Sequence, residues 1–395
     1  MNAQRTGKYV RQPMGYEAFM PKPLPPDPPL VFDRNLQSAL SEADRALARL
    51  DGVAAVLPNP ELFIAMYVKK EALLSSQIEG TQASLQGVLE FEADGMPRDD
   101  INEVKEVINY VKAMDHGLAR LNDFPFSSRL FREIHAVLLA GVRGRTKTPG
   151  EYRRSQNWIG GAGASLAEAV FVPPPADAVE ELISDLEKFI HAGDNLPPLV
   201  KIALVHAQFE TIHPFLDGNG RIGRLLITFY LCWQGILSRP LLYLSHYLKK
   251  NRQAYYDKLL AVRTEGDWEG WVEFFLSGVK EVSLEAADTA RRIIDLKSRL
   301  SETIFSSRRS RLSALRLLDL CFAMPLLDVP LIASRLALSR QSTTQLVDHF
   351  LSLGILHEIT GKKRYRKFLF RDYVALIAKG TELGQGGREL GQKIE

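Results

Sequence analysis

Residues 213–224 concentrate side chains that could do chemistry within one short stretch. They read His-Pro-Phe-Leu-Asp-Gly-Asn-Gly-Arg-Ile-Gly-Arg, with an imidazole at His213, a carboxylate at Asp217 and guanidinium groups at Arg221 and Arg224. The glycines favour a tight loop, and the free N–H groups at the start of a following helix attract anions. The stretch is therefore predicted to hold a polyphosphate beside a histidine.

Two helices must position this loop. Apolar residues dominate residues 198–212 and 221–236, so we predict one helix on each side of the loop. Arg221 and Arg224 then project from neighbouring positions on the first turn of the second helix. The Gly-X-X-X-X-Gly-Lys-Ser/Thr pattern is absent, which argues against a P-loop nucleotide-binding protein.

A smaller polar group lies at the end of an earlier helix, predicted over residues 60–76. Ser75 and Glu79 are four residues apart and share one helix face, and Gly80 is a natural helix end. Taken alone, this pattern indicates only a helix end with a solvated glutamate.

Residues 150–175 interrupt the helical pattern. Two short apolar stretches flank Gly160 and Gly161, and three prolines follow. This spacing predicts a β-hairpin with a glycine-rich tip. Helical periodicity returns at 177–191, and it continues beyond the central loop over residues 241–260 and 268–297.

Positive charge is concentrated near the end of the chain. Residues 301–372 contain twelve Lys/Arg and six Asp/Glu, so this segment carries +6 and, because the whole chain carries +3, the remainder carries −3. Three predicted helices followed by a basic-tipped hairpin are typical of a winged helix-turn-helix. The side chains best suited to DNA contacts are Arg340, Gln341, Thr344, Lys362, Lys363 and Arg364. Recognition of DNA and recognition of a protein both remain open for this segment.

Composition excludes several classes of protein. The chain is 46% hydrophobic and 25% charged, as in ordinary globular proteins. Its two cysteines, Cys232 and Cys321, lie in apolar contexts and predict neither a disulfide framework nor a zinc site. The apolar run at 225–237 is too short to cross a bilayer, and the N-terminal residues lack a signal-peptide pattern. A cytoplasmic protein without membrane contact is expected.

The central stretch resembles the signature of the Fic family, His-Pro-Phe-x-Asp/Glu-Gly-Asn-Gly-Arg-x-x-Arg, at every fixed position. The resemblance extends over about residues 60–260. It implies a protein adenylyltransferase that uses Mg²⁺ and moves AMP from ATP to a Ser, Thr or Tyr hydroxyl of a protein, the chain itself included. The related Doc branch transfers phosphate and carries Lys where this chain has Gly220, so Gly220 favours AMP transfer.

The resemblance also implies roles for single residues. His213 would accept the hydroxyl proton, which suits an imidazole, and Asp217 would hold Mg²⁺. Phe215 would also lie under the loop and fix its shape. The residues implied at ATP are Phe215, Gly218, Asn219, Gly220, Arg221, Arg224 and Asn251. The hairpin would be the family's flap, which pairs with the target's backbone; its docking residues would be Ile159, Gly160, Gly161, Val170, Phe171 and Val172.

Residues 75–80 resemble the family's inhibitory motif, Ser/Thr-x-x-x-Glu-Gly/Asn, through Ser75, Glu79 and Gly80. In such proteins the glutamate pairs with the second arginine of the signature, here Arg224. The pairing would keep Arg224 from the γ-phosphate of ATP. Some relatives use this glutamate to remove AMP, so a reverse deAMPylation activity also remains open.

The expected fold is mainly α, a Fic-type helical core with a β-hairpin flap and a C-terminal winged helix-turn-helix domain. The predicted parts are an N-terminal arm and helix (1–50), the core (51–285) with its inhibitory helix (61–80), flap (150–175) and catalytic loop (213–224), a helical connector (286–300), the winged helix (301–375) and a flexible tail (376–395).

A second function is retained beside the transferase. The chain could instead be a DNA-binding transcriptional regulator whose Fic core senses nucleotide and has little transferase activity. A homodimer is compatible with both functions, and the sequence names neither a protein target nor a DNA site.

Overall fold

The computed structural model describes residues 4–55, 60–161, 163, 165–307 and 311–382. Within these ranges the chain is mainly α-helical. The helices of the first half are α1 (Arg34–Ala55), α2 (Pro60–Ile78), α3 (Leu85–Asp94), α4 (Ile101–Arg120), α5 (Ser128–Leu138), α6 (Val179–His191) and α7 (Pro198–Ile212). Those that follow are α8 (Asn219–Trp233), α9 (Ser245–Lys250), α10 (Arg252–Glu265), α11 (Trp268–Ser306), α12 (Arg311–Ala323), α13 (Val329–Leu336), α14 (Arg340–Ser352) and α15 (Arg371–Ala378).

The strands are short and form two small sheets. An N-terminal antiparallel pair consists of β1 (Lys8–Arg11) and β2 (Glu17–Met20). A three-stranded antiparallel sheet near the C-terminus has the order β3-β5-β4, with β3 (Leu326–Asp328), β4 (His357–Glu358) and β5 (Lys367–Leu369). In the part of the chain described, no helix combines the length and apolar character needed to cross a bilayer.

Helices α7 and α8 lie at the centre of the core because neither has a polar face. Residues 199–212 of α7 and 221–231 of α8 are all buried. A helix that is buried on all sides must be surrounded by other elements, and α4, α5, α6, α10 and α11 pack around this pair. The loop that joins α7 to α8 is therefore anchored at both ends in the most buried part of the molecule.

Helix α11 connects the core to the C-terminal residues. It has 39 residues, which corresponds to about 58 Å, and it packs along α1 before it reaches α12 and α15. The separate connector predicted at 286–300 is an internal part of this helix. Its buried side continues through Ala286, Ala290 and Ile293 without a helix break.

The sequence predicted the position of some helices better than others. The prediction of a helix over 198–212 is confirmed to the residue. The single helix predicted over 241–260 is wrong, because Asn251 leaves the helical region (φ −110°, ψ 37°) and separates α9 from α10. The predicted start of a flexible tail at 376 falls inside α15, whose Tyr373 and Ile377 are buried. Residues 383–395 of that tail lie outside the described residues.

The predicted flap is not a regular hairpin. Its described residues form one antiparallel bridge, between Ile159 and Phe171, in place of two strands. The glycines at 160–161 and the prolines at 173–175 leave little room for a longer ladder, since proline has no N–H to donate. The Phe171 side chain is buried against Phe19 and Arg263. Docking of a target along the backbone of this segment stays a prediction.

We refer to residues 311–382, which hold α12 to α15 and the β3-β5-β4 sheet, as the C-terminal module. Its small core is built around Phe322, Phe370 and Tyr373, whose rings lie 5.0–5.7 Å apart. Helix α14 begins at a Ser339 cap that accepts the N–H of Ser342. The segment between β4 and β5 lies at the surface.

Candidate active site

The loop between α7 and α8 contains two residues in the left-handed backbone conformation. His213 ends α7 with φ 50°, and Gly218 precedes α8 with φ 80°. Glycine adopts this conformation at little cost, whereas histidine does so only when its surroundings hold it there. The backbone at His213 therefore depends on neighbouring residues.

Arg153 and Asn157 hold this backbone. Arg153, which is 2% exposed, donates from Nε to the carbonyl of His213 (3.0 Å) and from Nη2 to that of Ile212 (3.3 Å). The Asn157 amide donates to the carbonyls of His213 (3.2 Å) and Phe215 (2.9 Å). Carbonyls at the end of a helix lack helical partners and carry the negative end of its dipole, so a buried cation stabilises them. No sequence motif marks either residue as functional.

His135 supports the other side of the loop. Its ring stacks on Phe215 with centroids 3.8 Å apart and planes 11° apart. Nδ1 accepts the N–H of Gly150 (2.9 Å), so Nε2 carries the proton and donates to the carbonyl of Asp217 (3.0 Å). Burial lowers the pKa of His135 to about 4, which keeps the ring neutral at pH 7. This histidine fixes the backbone at Asp217.

The side chains of Phe215 and Asn219 shape the loop. Phe215 is fully buried and lies under the loop as expected. Asn219 accepts the N–H of Phe215 at Oδ1 and donates to its carbonyl from Nδ2, both at 2.8 Å. Contact of these two residues with ATP stays a prediction. The free N–H groups at the start of α8 remain suited to an anion.

Arg221 lies beside Asp217 and has donors to spare. Its Nη2 is 3.2 Å from Oδ1 of Asp217, and its Nη1 is 3.9 Å from Glu106. Nε and Nη1 of Arg221 form no hydrogen bond with any described residue, although the side chain is 1% exposed. Buried donors require acceptors. The oxygens of a phosphate group would supply acceptors for Nε and Nη1 of Arg221.

The described residues contain no cluster of three or more His, Cys, Asp or Glu that could hold a metal ion. Mg²⁺ at nucleotide sites needs less than this, since phosphates and water supply most of its ligands. The side chain of Asp217 is 27% exposed. Its contact with Arg221 is made by Oδ1, which leaves Oδ2 for a ligand. Asp217 therefore fits a magnesium ion that arrives with a nucleotide.

Arg224 is paired with the end of α2. Its Nη2 donates to Oε1 of Glu79 (2.6 Å), and its Nε donates to Oγ of Ser75 (2.8 Å). Arg224 is 3% exposed, while the Glu79 side chain is 19% exposed. Helix α2 ends directly before this glutamate, and Gly80 turns the chain away with φ 97°. The contact expected from the sequence between Glu79 and Arg224 is present.

Gly220 provides the space for this pair. A Cβ atom at position 220 would lie 2.4 Å from Oε1 of Glu79 and 2.9 Å from Nη1 of Arg224. Real Cβ atoms do not approach other atoms so closely. Glu79 therefore lies directly over the first turn of α8, beside its free N–H groups.

At neutral pH, His213 is uncharged, whereas Glu79 and Arg224 are charged and form an ion pair. Burial, together with the positive charges of Arg153 and Arg263, lowers the pKa of His213 to about 3, so the imidazole is neutral at pH 7. Burial acts to raise the pKa of Glu79, but the charge and the hydrogen bond of Arg224 hold it below its usual value. Glu79 and Arg224 are thus both ionised at neutral pH.

Asn251 lies between α9 and α10. Its amide donates to the carbonyl of Tyr247 (3.0 Å), and the residue is partly exposed. Tyr255, on α10, is buried, and its hydroxyl lies 2.9 Å from Nε2 of His206, which is fully buried. Contact of Asn251 with ATP stays a prediction.

Comparison with protein families agrees with this geometry. Residues 37–119 match the N-terminal domain of the Fic/DOC family, and residues 125–231, which include the loop, match the Fic/DOC family domain. The chain therefore carries both the N-terminal domain and the Fic domain of the Fic/DOC family.

Curated relatives resemble part of the chain. Protein adenylyltransferase Fic of Culex quinquefasciatus is 31% identical over 226 residues, which cover 55% of this chain and 39% of the mosquito protein. A probable protein adenylyltransferase of Aquifex aeolicus is 30% identical over 210 residues, 52% of this chain and 59% of the relative. The chain thus spans less than two thirds of each relative's length.

Solved structures share the fold. A Fic family protein from Desulfovibrio desulfuricans G20 aligns with a TM-score of 0.57 at 21% identity, over 87% of this chain and 97% of the other. A Fic-domain-containing signalling protein from Bacteroides thetaiotaomicron aligns with a TM-score of 0.52 at 18% identity, over 63% of this chain and 97% of the other. At these identities the likeness concerns the fold.

Proposed function

We propose that this chain transfers AMP from ATP to a Ser, Thr or Tyr hydroxyl of a protein, and that Glu79 restrains the reaction. The observation that supports this most directly is the set of groups around the loop. A neutral imidazole at His213, the spare donors of Arg221 and the start of α8 all belong to residues 213–224. The names of the curated relatives agree with this reaction.

In the proposed step, the hydroxyl oxygen of the target attacks the α-phosphorus of ATP. The bond from that phosphorus to the bridging oxygen of the β-phosphate breaks, and pyrophosphate leaves. The imidazole of His213 is neutral at pH 7, and it takes the hydroxyl proton. Arg221 and the N–H groups at the start of α8 stabilise the charge that develops on the phosphate oxygens. Mg²⁺, held by Asp217, would neutralise phosphate charge when bound.

Restraint by Glu79 follows from the position of its carboxylate. It occupies the space over Gly220 and takes a donor of Arg224 that a γ-phosphate would otherwise receive. A negative carboxylate there also repels a polyphosphate. Productive binding of ATP would require Glu79 to leave Arg224.

The function is tested with ATP that is labelled either at the α-phosphate or at the γ-phosphate, in the presence of Mg²⁺. We expect Glu79→Gly to incorporate the α-label into itself or into a lysate protein, and to release the γ-label. The double variant Glu79→Gly, His213→Ala should incorporate neither. Incorporation of the γ-label would indicate phosphate transfer, and no incorporation by Glu79→Gly would contradict the proposal.

We propose a second activity for the C-terminal module, namely that it acts as a winged helix-turn-helix and binds duplex DNA. The supporting observation is that the predicted DNA-contact residues are all exposed, namely Arg340, Gln341, Thr344, Lys362, Lys363 and Arg364. Cations on the wing suit phosphate contacts, and residues at the start of α14 suit the major groove.

DNA binding is tested by titrating the full chain with a duplex at several salt concentrations. Replacing Lys362, Lys363 and Arg364 by alanine should weaken binding and reduce the salt slope by about three. Equal affinity and slope for the variant and the wild type would argue that the module recognises a protein. A regulator that only senses nucleotide would bind DNA here and fail the labelling test above.

A further inference from the structure

The residues that follow α15 lie against the turn that carries Glu79. The side-chain amide of Gln77 donates to the carbonyl of Thr381 (3.1 Å). Lys249 donates to Oε1 of Gln77 (2.6 Å) and to the carbonyl of Glu382 (3.1 Å). We call residues 379–382 the C-terminal segment. This segment is therefore bonded, directly and through Lys249, to a residue two positions before the inhibitory glutamate.

Gln77 and Glu79 contact different partners. Gln77 lies in the last turn of α2, and Glu79 lies in the turn that follows the helix. Glu79 reaches Arg224, and Gln77 reaches the C-terminal segment. The turn between them is held together by its own bonds, from the N–H of Glu79 to Ser76 and from the N–H of Gly80 to Gln77, both 3.1 Å. A shift of Gln77 therefore shifts Glu79.

The C-terminal segment occupies a defined position between α9 and α11. Gly380 has φ 85° and lies on the His246 ring, where a Cβ would be 2.1 Å from Cε1. Lys379 and His246 lie on opposite oxygens of Glu285, at 3.8 and 3.6 Å. Glycine alone meets both the backbone and the space requirement at 380.

The segment is also continuous with the C-terminal module. Thr381 donates to the carbonyl of Ala378, from its N–H (2.9 Å) and from its hydroxyl (2.7 Å), so the segment extends α15. Helix α15 is fixed in the module through Tyr373, which packs on Phe322 and Phe370. A chain of packed and bonded residues thus joins the core of the module to Gln77.

We propose that the C-terminal segment holds the Glu79 turn against Arg224, so that the position of the C-terminal module sets the extent of inhibition. The inference rests on the AMP transfer proposed above and adds what determines the position of Glu79. A partner that binds the module would change AMP transfer only if it favours one position of the segment over another.

Two substitutions in the full chain test this coupling. Gln77→Ala removes the bonds to Thr381 and Lys249 and a local bond to the carbonyl of Ala83. Gly380→Val leaves Gln77 in place and puts methyl groups where His246 lies. We expect each variant to raise self-labelling from ATP by about tenfold over the wild type, which corresponds to the loss of one or two hydrogen bonds. Gln37→Ala is the matched control, since this exposed amide lies on α1 and, among the described residues, bonds only to Phe32, and it should label like the wild type.

Amide hydrogen exchange without ATP gives a readout that does not depend on activity. In Gly380→Val the amides of residues 76–82 should exchange faster than in the wild type, while those of α7 should not change. The thermal unfolding midpoint should show that Gly380→Val remains folded. Gln77→Ala adds no bulk, so an effect that both variants share cannot come from a packing defect at residue 380.

The outcomes separate the coupling from the proposed function. If Glu79→Gly incorporates label while Gln77→Ala and Gly380→Val match the wild type in labelling and in exchange, the coupling is wrong and AMP transfer stands. If Glu79→Gly also fails to incorporate label, AMP transfer is wrong. In that case, amide hydrogen exchange at residues 76–82 tests the coupling separately. Exchange rates in Gly380→Val that equal those of the wild type would show that the segment does not hold the turn.

Discussion

Oε1 of Glu79 lies 2.6 Å from Nη2 of Arg224, although the two residues are 145 positions apart in the chain. Arg224 is buried, and it also donates to the hydroxyl and the carbonyl of Ser75. The ion pair therefore combines a charge interaction with a specific packing position over Gly220. Substitutions that remove the charge alone, or the whole side chain, should separate these two contributions.

Glu79→Gln should label itself from ATP more than the wild type and less than Glu79→Gly. Glutamine fills the same space and can still accept a hydrogen bond from Arg224, but it lacks the negative charge that attracts the guanidinium. We expect an increase of about tenfold over the wild type at a fixed ATP concentration. The control is Glu61→Gln, at an exposed carboxylate in the first turn of α2. Equal labelling by Glu79→Gln and the wild type would show that charge does not matter.

Arg153→Lys, made in the Glu79→Gly background, should lower kcat and leave the KM for ATP nearly unchanged. Lysine keeps the charge, but its three donors share one nitrogen and cannot span the separate carbonyls that the planar guanidinium reaches, so His213 would lose its fixed position. A misplaced base costs about 10- to 100-fold in rate. Arg154→Lys provides the control, because that neighbouring side chain is 88% exposed. A similar loss in both variants, or a raised KM alone, would contradict a positioning role.

His135→Phe should raise the Mg²⁺ concentration needed for half-maximal labelling by about tenfold. Phenylalanine preserves the stacking on Phe215 but cannot bond the carbonyl of Asp217 or accept from Gly150. The carboxylate proposed to hold Mg²⁺ would then be less well placed. His116→Phe, at a partly exposed histidine on α4, is the control. An unchanged Mg²⁺ requirement would argue that the His135 bonds serve stability alone.

Buried titratable groups should make stability depend on pH in two opposing ways. Burial lowers the pKa of His206 from 6.5 to about 4, so its contribution is complete above pH 6.5 and is lost as the pH falls towards 4. Burial raises the pKa of Glu210 from 4.5 to about 7, so its contribution is complete below pH 4.5 and is lost as the pH rises towards 7. Between pH 4.5 and 6.5 the two effects oppose each other.

Two variants should shift this balance in opposite directions. Glu210→Gln should make the free energy of unfolding rise more steeply with pH between 4.5 and 6.5, by about 1.4 kcal/mol per pH unit. His206→Gln should make it rise less steeply by a similar amount. Denaturant titrations at several pH values measure both slopes. Equal slopes in the two variants would show that neither group changes its protonation on folding as described.

The sequence predicted those features that depend on local pattern. Helix α7 was placed to the residue because its apolar run begins at a proline and ends at a polar loop. The loop itself was identified by its spacing, and the inhibitory glutamate by a short motif. Helix α3 was missed, since a ten-residue helix depends on its surroundings. Its Ser84 cap is held by Asp99, fifteen positions away.

Residues that act through backbone contacts left no such pattern. Arg153 and Asn157 bond carbonyls 56–60 positions away, and a carbonyl is present at every residue, so nothing in the sequence marks the acceptor. His135 lies on an apolar helix, and its burial agrees with that pattern. Nothing in the sequence indicates its bond to the carbonyl of Asp217. The sequence predicted two strands at the flap where the structure has one bridge. Apolar residues near glycines predict strands whether or not prolines prevent their extension.

The close approach of Glu79 to Gly220 has an evolutionary consequence. A mutation that gives residue 220 a side chain would meet the end of the Glu79 side chain, which would then have to shift. Residues 79 and 220 are therefore expected to change together, because the space used by one side chain is taken from the other.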